Sequence, residues 1–424
     1  MPITGIRYHF PSGPGAFPAS TYRSVHSGVI YRLRGRVFEG IMMDLELSRE
    51  QKAVMEMSRR FAREVIAPRA AGFERTGQHP YDIVARMADL GMMGIPFPKK
   101  YGGTGGDWVS MFLCMEELSR VDMLPAVILN VTVTGTGQSL FLFGTEAQKE
   151  RWLIPIARGK ALGAVGLTEP DAGSDARSIR TTAVLEGEEW VINGSKQFIT
   201  NTGLENNSIV IVIAKTRRGA TDKEIISMIV VPTDTPGFKV GQKTEKMGMR
   251  ATSNHEIFFD DCRVPGDYLL GDPEKGFAHQ SASLQAGRIA MGAISTGFSQ
   301  GCLDHAIVLT KERYLKGKSL FDLQTVPFTL ADIAMSVELS RSMYLKAAWL
   351  KDRGETHTKE ACFAKLYASE TATKIASQVL KIFSPQGYLE ESPFSRFFRQ
   401  IKLNEIVEGT SEMQRLIIAR ELLY

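Results

Sequence analysis

Leu167-Thr168-Glu169-Pro170-Asp171-Ala172-Gly173-Ser174-Asp175 lies where this 424-residue chain changes its pattern. Pro170, Gly173 and the short polar residues mark a turn between a helix and a strand. The same glycine and small hydroxyls can also bring backbone N–H groups and the Thr168 Oγ against a flat polar cofactor or a thioester-linked chain. Both readings stand on these nine residues alone.

Upstream of this turn the sequence is helical. Ser48 and Gln51 form a capping box before Val54, Met57, Phe61 and Val65, with Pro68 ending or bending that helix. Asp82 is expected to cap a short helix bearing Val84, Met87 and Ala88, which Gly91 stops. Another helix covers Met111 to Arg120, and helical sequence continues to about Gly159. Downstream the period changes to β. Trp190, Val191 and Ile192 lead into Asn193-Gly194, which reads as a two-residue hairpin turn, followed by Gln197 to Thr200. Ser208 to Ala214, Ile225 to Val231 and Glu256 to Phe259 are further β-rich runs. After Gly276 the sequence is helical again. Ala286, Gly287, Ala290, Gly292, Ala293 and Gly297 allow close helix contacts, and Thr329 is expected to cap a helix carrying Leu330, Ile333, Val337, Tyr344 and Ala348. The order α, β, α defines an α+β chain: an extension (1–42), an N-terminal helical region (43–160), a middle β region (161–272) and a C-terminal helical region (273–424).

Composition narrows the function classes. Hydrophobic residues at 43% and charged residues at 23% are those of an ordinary globular protein, and a net charge of +4 without a basic run does not suggest nucleic acid. Cys114, Cys262, Cys302 and Cys362 have no metal-ligand or redox-pair spacing, so no metal site is expected and reduced thiols fit a cytosol-like compartment. No apolar run reads as long enough to cross a bilayer, which excludes a membrane span. The extension holds Arg7, Arg23, Arg32, Arg34 and Arg36 and no acid before Glu39. It fits a mitochondrial targeting segment, or an over-long start before Met42 and Met43 of a bacterial-type cytoplasmic protein, and is expected to be irregular.

Ser411 and Gln414 read as a capping box opening a last helix with Leu416, Ile417, Ile418 and Leu422. Glu408 and Gly409 thus fall in the turn before it. Gly409 lets the backbone approach a ligand, and a carboxylate beside Ile406 and Val407 can be raised toward the pKa of a useful general base. A solvated loop glutamate is the alternative.

Several of these stretches, in order, resemble the acyl-CoA dehydrogenase family. Leu167 to Asp175 is similar to its flavin-contacting signature, and Val191 to Thr200 to its second flavin segment. The resemblance continues through Phe258 to Pro265, Arg313 to Gln324 and Ile406 to Arg415, and covers essentially all of Met43 to Tyr424. It implies a middle β-barrel or sandwich, a C-terminal four-helix bundle, FAD as cofactor and a homotetramer or homodimer. Leu167 and Thr168 would meet the pyrimidine side of the flavin ring, Phe198 and Thr200 its other edge, and Thr410 and Glu412 would lie near it. Ser174, Arg288 and Gly409 would touch the acyl-CoA. Arg313 and Gln324 would hold the FAD pyrophosphate and adenosine part across a subunit boundary; arginine's planar fork suits phosphate. Glu408 matches the base, and Gly287 stands where some relatives carry the base instead. This chain departs from the family pattern at Lys316, at Lys381, where a glutamine is common, at Ser384 and Pro385, where a Gly-Gly pair is common, and at Gln400, which replaces a frequent aspartate. These departures bear on how FAD's adenosine end is held.

The function so implied is α,β-dehydrogenation of an acyl-CoA thioester to a trans-2-enoyl-CoA, of short- or medium-chain-like type, with electrons passed to an electron-transfer flavoprotein. An acyl-CoA oxidase using oxygen and a weakly flavinated, non-catalytic acyl-CoA-binding relative are the alternatives. The small residues of Val131 to Gly137 fit either a roomy acyl pocket or close helix packing.

Overall fold

In the computed structural model, residues 46–217 and 225–423 are described, together with β1 (Ile30–Leu33) and β2 (Arg36–Glu39), which pair antiparallel. The extension expected to be irregular otherwise lies outside the described residues, and this strand pair departs from that expectation. From Leu47 the chain forms one unit.

The capping box forms as read: Ser48 Oγ accepts from Gln51 N and Gln51 Oε1 from Ser48 N, opening α1 (Arg49–Phe61). The path then passes through a wide turn and a tight one holding Pro68 into α2 (Ala70–Thr76), so the proline bends the chain. Asp82 does not cap α3 (Tyr81–Asp89). Pro80 holds that position, and the Asp82 carboxylate in the first turn pairs with Arg69. Asp107 caps α4 (Trp108–Ser119).

Met123 to Phe143 corrects the reading that no run is long enough to span a bilayer. These residues form α5 (Met123–Phe143), which has sufficient length and apolarity by composition. Thr, Asn and Gly residues interrupt its apolar sequence but carry no charge. It is mostly buried, and Asn130–Gly137 within it widens into π-helical turns, a feature frequent at functional sites. Gly137 packs on the Phe97 ring, where a Cβ would come within 2.8 Å. Close packing therefore explains that glycine without an enlarged pocket.

The middle region is an eight-stranded sheet: β3 (Leu162–Gly166), β4 (Thr182–Glu186), β5 (Glu189–Thr200), β6 (Asn207–Arg217), β7 (Ile225–Pro232), β8 (Phe238–Lys243), β9 (Asn254–Pro265) and β10 (Leu269–Leu270). Its order is β10-β7-β6-β4-β5-β9-β8, with β3 parallel to β6. Asn193-Gly194 is not the hairpin turn. The chain reverses at Gly187-Glu188, and β5 runs straight through Asn193 and Gly194 with a bulge against β9. Gly194 has φ 141° and a Cβ there would meet Thr181 at 2.7 Å, while Asn193 is tied to Asp261 on β9. The glycine is required by the bulge and the close approach.

The C-terminal region comprises α6 (Gly276–Glu312), α7 (Thr325–Asp352), α8 (Thr358–Phe383), α9 (Pro393–Ile401) and α10 (Ser411–Leu423). The small residues of α6 serve as expected: a Cβ on Gly297 would fall 2.0 Å from the Glu116 carbonyl oxygen of α4, and one on Gly292 would lie 3.1 Å from Ala364 Cβ of α8. Thr329 does not cap α7, which begins a turn earlier; its hydroxyl donates to the Thr325 carbonyl inside the helix. The α+β order of helical, sheet and helical regions is the one the sequence implies.

Candidate active site

The turn before α10 ends in two left-handed residues, Glu408 at φ 56° and Gly409 at φ 87°. Such a φ disfavours a non-glycine residue, so surrounding bonds must hold Glu408 there. Gln414 Nε2 donates to the carbonyls of both Glu408 (3.1 Å) and Gly409 (2.8 Å), and Lys365 Nζ of α8 donates to those of Glu405 (3.1 Å) and Gly409 (2.7 Å). The expected Ser411–Gln414 capping box is thereby corrected. Gln414 is spent on the turn, Thr410 Oγ accepts from Met413 N, and Ser411 is the first helical residue.

The Glu408 side chain reaches inward from this turn. Asn130 Nδ2, at the start of the π-helical stretch of α5, donates to Oε1 at 3.1 Å, and the Thr134 hydroxyl lies against Asn130 Oδ1, fixing the amide's orientation. The carboxylate lies against Cα of Gly287 on α6, where a Cβ would come within 2.6 Å of Oε2. A side chain at 287 and this placement of Glu408 exclude one another. The residue as a whole is only partly buried, but its carboxyl group is enclosed. Burial pushes that carboxyl above its ordinary range, while the Asn130 hydrogen bond and the charges of Arg288 and Lys365 act the other way. A loop glutamate in water would have neither the enclosure nor these neighbours.

Arg288 is buried beside this cluster, not on an exposed helix face, and its Nε has no partner among the described residues. An orphaned, buried guanidinium N–H is costly and available to a ligand. The structure therefore brings Glu408, Gly409, Arg288 and Gly287 together. Thr410 opens the adjoining helix, and Glu412 in its first turn is exposed, its carboxyl held below the ordinary range mainly by its own backbone N–H and then by Thr410.

The flavin-like segment follows β3. Thr168 carbonyl accepts from Gln197 N, docking the segment on β5. Glu169 accepts from the N–H groups of Arg180 and Thr181 and pairs with the fully buried Lys196 at 2.7 Å; Lys196 also donates to the Leu167 carbonyl at 3.1 Å. Burial pulls the Lys196 ammonium down to about 8 against the pull of Glu169. Leu167 and Thr168 stay partly open. Phe198 has φ 62° and is 55% exposed, so it is not a core residue of the sheet. Thr200, two residues on, accepts from Asn254 Nδ2 at 2.7 Å. An outward-facing aromatic ring, a neighbouring hydroxyl and the Thr168 hydroxyl fit the edge of a flavin ring. Ser174 is exposed in the loop beyond.

Arg313 and Gln324 are not part of the Glu408 cluster. They flank the strands β11 (Tyr314–Leu315) and β12 (Lys318–Ser319) after α6, and Arg313 lies about 40 Å along that helix from Gly287 at about 1.5 Å per residue. Arg313 Nη1 donates to the carbonyl of Phe383, the last residue of α8, next to Ser384. Lys316 and Ser384 both take left-handed φ values, 52° and 51°. Three supporting residues escaped the sequence reading: Asn130, Lys365 and Lys196. Nothing local marks a buried lysine as different from an exposed one.

The helical and sheet regions carry the matches to known proteins. Residues 48–160, 164–262 and 274–423 match the N-terminal, middle and C-terminal domains of acyl-CoA dehydrogenases, and the chain belongs to this family of flavoprotein oxidoreductases. Among its relatives, the probable acyl-CoA dehydrogenase YngJ of Bacillus subtilis is 46% identical over 90% of this chain and all of that one. Butyryl-CoA dehydrogenase of Megasphaera elsdenii superposes with a TM-score of 0.87 at 36% identity, covering 90% of this chain and 100% of that chain. A chain solved in work on the electron transferring flavoprotein of Acidaminococcus fermentans gives 0.86 at 36% identity, with the same coverage.

Proposed function

We propose that this enzyme removes hydrogen from the α and β carbons of a short acyl-CoA thioester, giving a trans-2-enoyl-CoA, with FAD as cofactor and an electron-transfer flavoprotein as acceptor. The enclosed Glu408 carboxylate carries this reading. Its Oε1 is anchored by Asn130, leaving Oε2 to take the α proton. Burial raises the proton affinity that the step needs. The Glu408 backbone N–H is not engaged by any group among the described residues. It is free to donate to the thioester oxygen, where negative charge gathers as the proton leaves. Buried Arg288, with its unpaired Nε, meets the CoA portion, and Ser174 contacts the same arm from its exposed loop.

Leu167, Thr168, Phe198 and Thr200 hold the flavin ring, with Thr410 and Glu412 close to it. FAD, when bound, supplies the hydride acceptor. The charge-bearing Lys196–Glu169 pair keeps the Leu167-Thr168 segment seated. Arg313, just past the far end of α6, and Gln324, beyond β12, stand apart from the Glu408 cluster, which supports an FAD site completed by a second copy of the chain in a homotetramer or homodimer. Native mass spectrometry of the yellow protein checks this, since a flavinated monomer contradicts it. The butyryl-CoA and flavoprotein-linked relatives support the short substrate and the acceptor. A panel of acyl-CoA esters mixed with the enzyme without oxygen tests the activity: bleaching of the flavin, strongest with short chains, is expected, and no bleaching by any ester overturns the reading.

A further inference from the structure

Among the described residues, Lys365 is a fully buried lysine that makes no salt bridge. Its ammonium is satisfied by two main-chain carbonyls, those of Glu405 and Gly409, which bracket Glu408. An ammonium is expensive to bury, and two neutral acceptors offset only part of that. A methionine would fill the same space in α8 at lower cost. The position of the charge is therefore informative: it sits under the one turn whose geometry the reaction depends on.

We propose that Lys365 is a positioning residue for the base, tying the two ends of the Glu405–Gly409 turn together so that Glu408 is held with its carboxylate on Gly287 and its backbone N–H free. This rests on the reading of Glu408 as the base. The turn needs such a clamp because Glu408 occupies a left-handed conformation that is unfavourable for a non-glycine residue. Lys365 and Gln414 converge on the Gly409 carbonyl, Gln414 from α10 and Lys365 from α8, so the turn is gripped from two elements. One backbone conformation sets both working groups of Glu408, the carboxylate and the N–H. A clamp on that backbone thus controls proton removal and stabilisation of the thioester oxygen together.

The charge has a second effect. The charged groups facing Lys365 are Glu405 and Glu408 of the turn, Arg288 of α6, Glu370 of its own helix and Glu412 of α10. Burial brings its own pKa down to about 8, against the pull of these carboxylates, so it is cationic at neutral pH. A cation here favours the ionised form of Glu408, the form that accepts a proton. Lys365 thereby keeps an enclosed carboxylate from becoming too weak an acid to be ionised before substrate arrives.

The test uses full-length flavinated enzyme and follows flavin reduction by butyryl-CoA, without oxygen, from pH 5.5 to 9. Lys365→Met removes donor and charge; Lys365→Gln restores an amide donor without charge. Both should retain FAD. In Lys365→Met the reduction rate is expected to fall about a hundredfold, the scale of a small misplacement of reacting groups. Its acid limb should move up by about one pH unit, a tenfold change in proton affinity. Lys365→Gln should regain part of the rate while keeping the displaced limb. A role in packing alone lowers rates without moving the limb, and an unmoved limb in the variants overturns the proposal. If Lys365→Met does not fold, the limb of Lys365→Gln decides in the same way. Glu408→Gln run alongside separates the two claims. Normal reduction by Glu408→Gln removes the base itself, whereas loss there with a wild-type profile in the lysine variants removes only the clamp.

Discussion

Asn130 touches Glu408, the proposed base, directly, and its effect has a definite sign. The amide donates to Glu408 Oε1, and a hydrogen bond to the ionised form lowers a carboxyl pKa. Asn130→Leu keeps the volume and removes the donor, so the Glu408 pKa rises. The acid limb of flavin reduction is then expected to shift to higher pH by up to about one unit, with the rate on the alkaline plateau kept or raised. A pH titration of the reduction rate checks this, and a limb displaced to lower pH contradicts it. How much of the site the sequence discloses is visible at these residues. Glu408-Gly409 was recognisable because both belong to a contiguous motif, and Gly287 because its lack of a carboxylate bore on the choice of base. Asn130 and Lys365 were not, because each acts through contacts with residues far along the chain.

Single elements show where local sequence is a sufficient guide and where it is not. The α1 cap was legible since both partners lie within one turn of helix. Asn193-Gly194 has the chemistry of a hairpin turn, yet β9 offers β5 a longer pairing partner, and the glycine is used for a bulge inside the strand. The choice between turn and bulge is made by tertiary pairing. At the end of α8, Ser384 has φ 51° and ψ −131°, a backbone region suited to glycine, at the place where the family resemblance of the sequence leads one to expect a Gly-Gly pair. The missing glycine leaves the turn in place and strains it. Ser384→Gly is therefore expected to stabilise the protein by about 1 kcal/mol and raise its melting temperature by a few degrees, as measured by calorimetry. A melting temperature that falls would contradict this account. Because Phe383 carries the carbonyl that Arg313 grips, FAD retention in the same variant should be kept or improved.

Across the whole molecule, charged side chains, most of them buried, join the helical regions. Asp352 near the C-terminal end of α7 accepts from the N–H groups of Trp108 and Val109 at the start of α4, at 2.8 and 3.0 Å. Glu116 of α4 takes Arg341 and Tyr344 of α7. Gln400 of α9 donates to Glu74 at 2.8 Å and lies near Asp122, which pairs with Arg396. A family-like aspartate at 400 would set a third carboxylate among two, which gives the neutral amide a physical reason. These links tie α4 to α7, and α2 and the start of α5, the helix that carries Asn130, to α9. The α, β, α order was readable from hydrophobic period alone, whereas this network depends on pairs separated by hundreds of residues.

The central claim is that Glu408 takes the proton. Its most direct measurement is flavin reduction by a short acyl-CoA in Glu408→Gln, which keeps the side chain's size and removes its basicity. The variant should stay yellow, bind the ester and show reduction slowed by about ten-thousandfold, the upper scale of general-base catalysis. Near-normal bleaching of the flavin would place the base elsewhere.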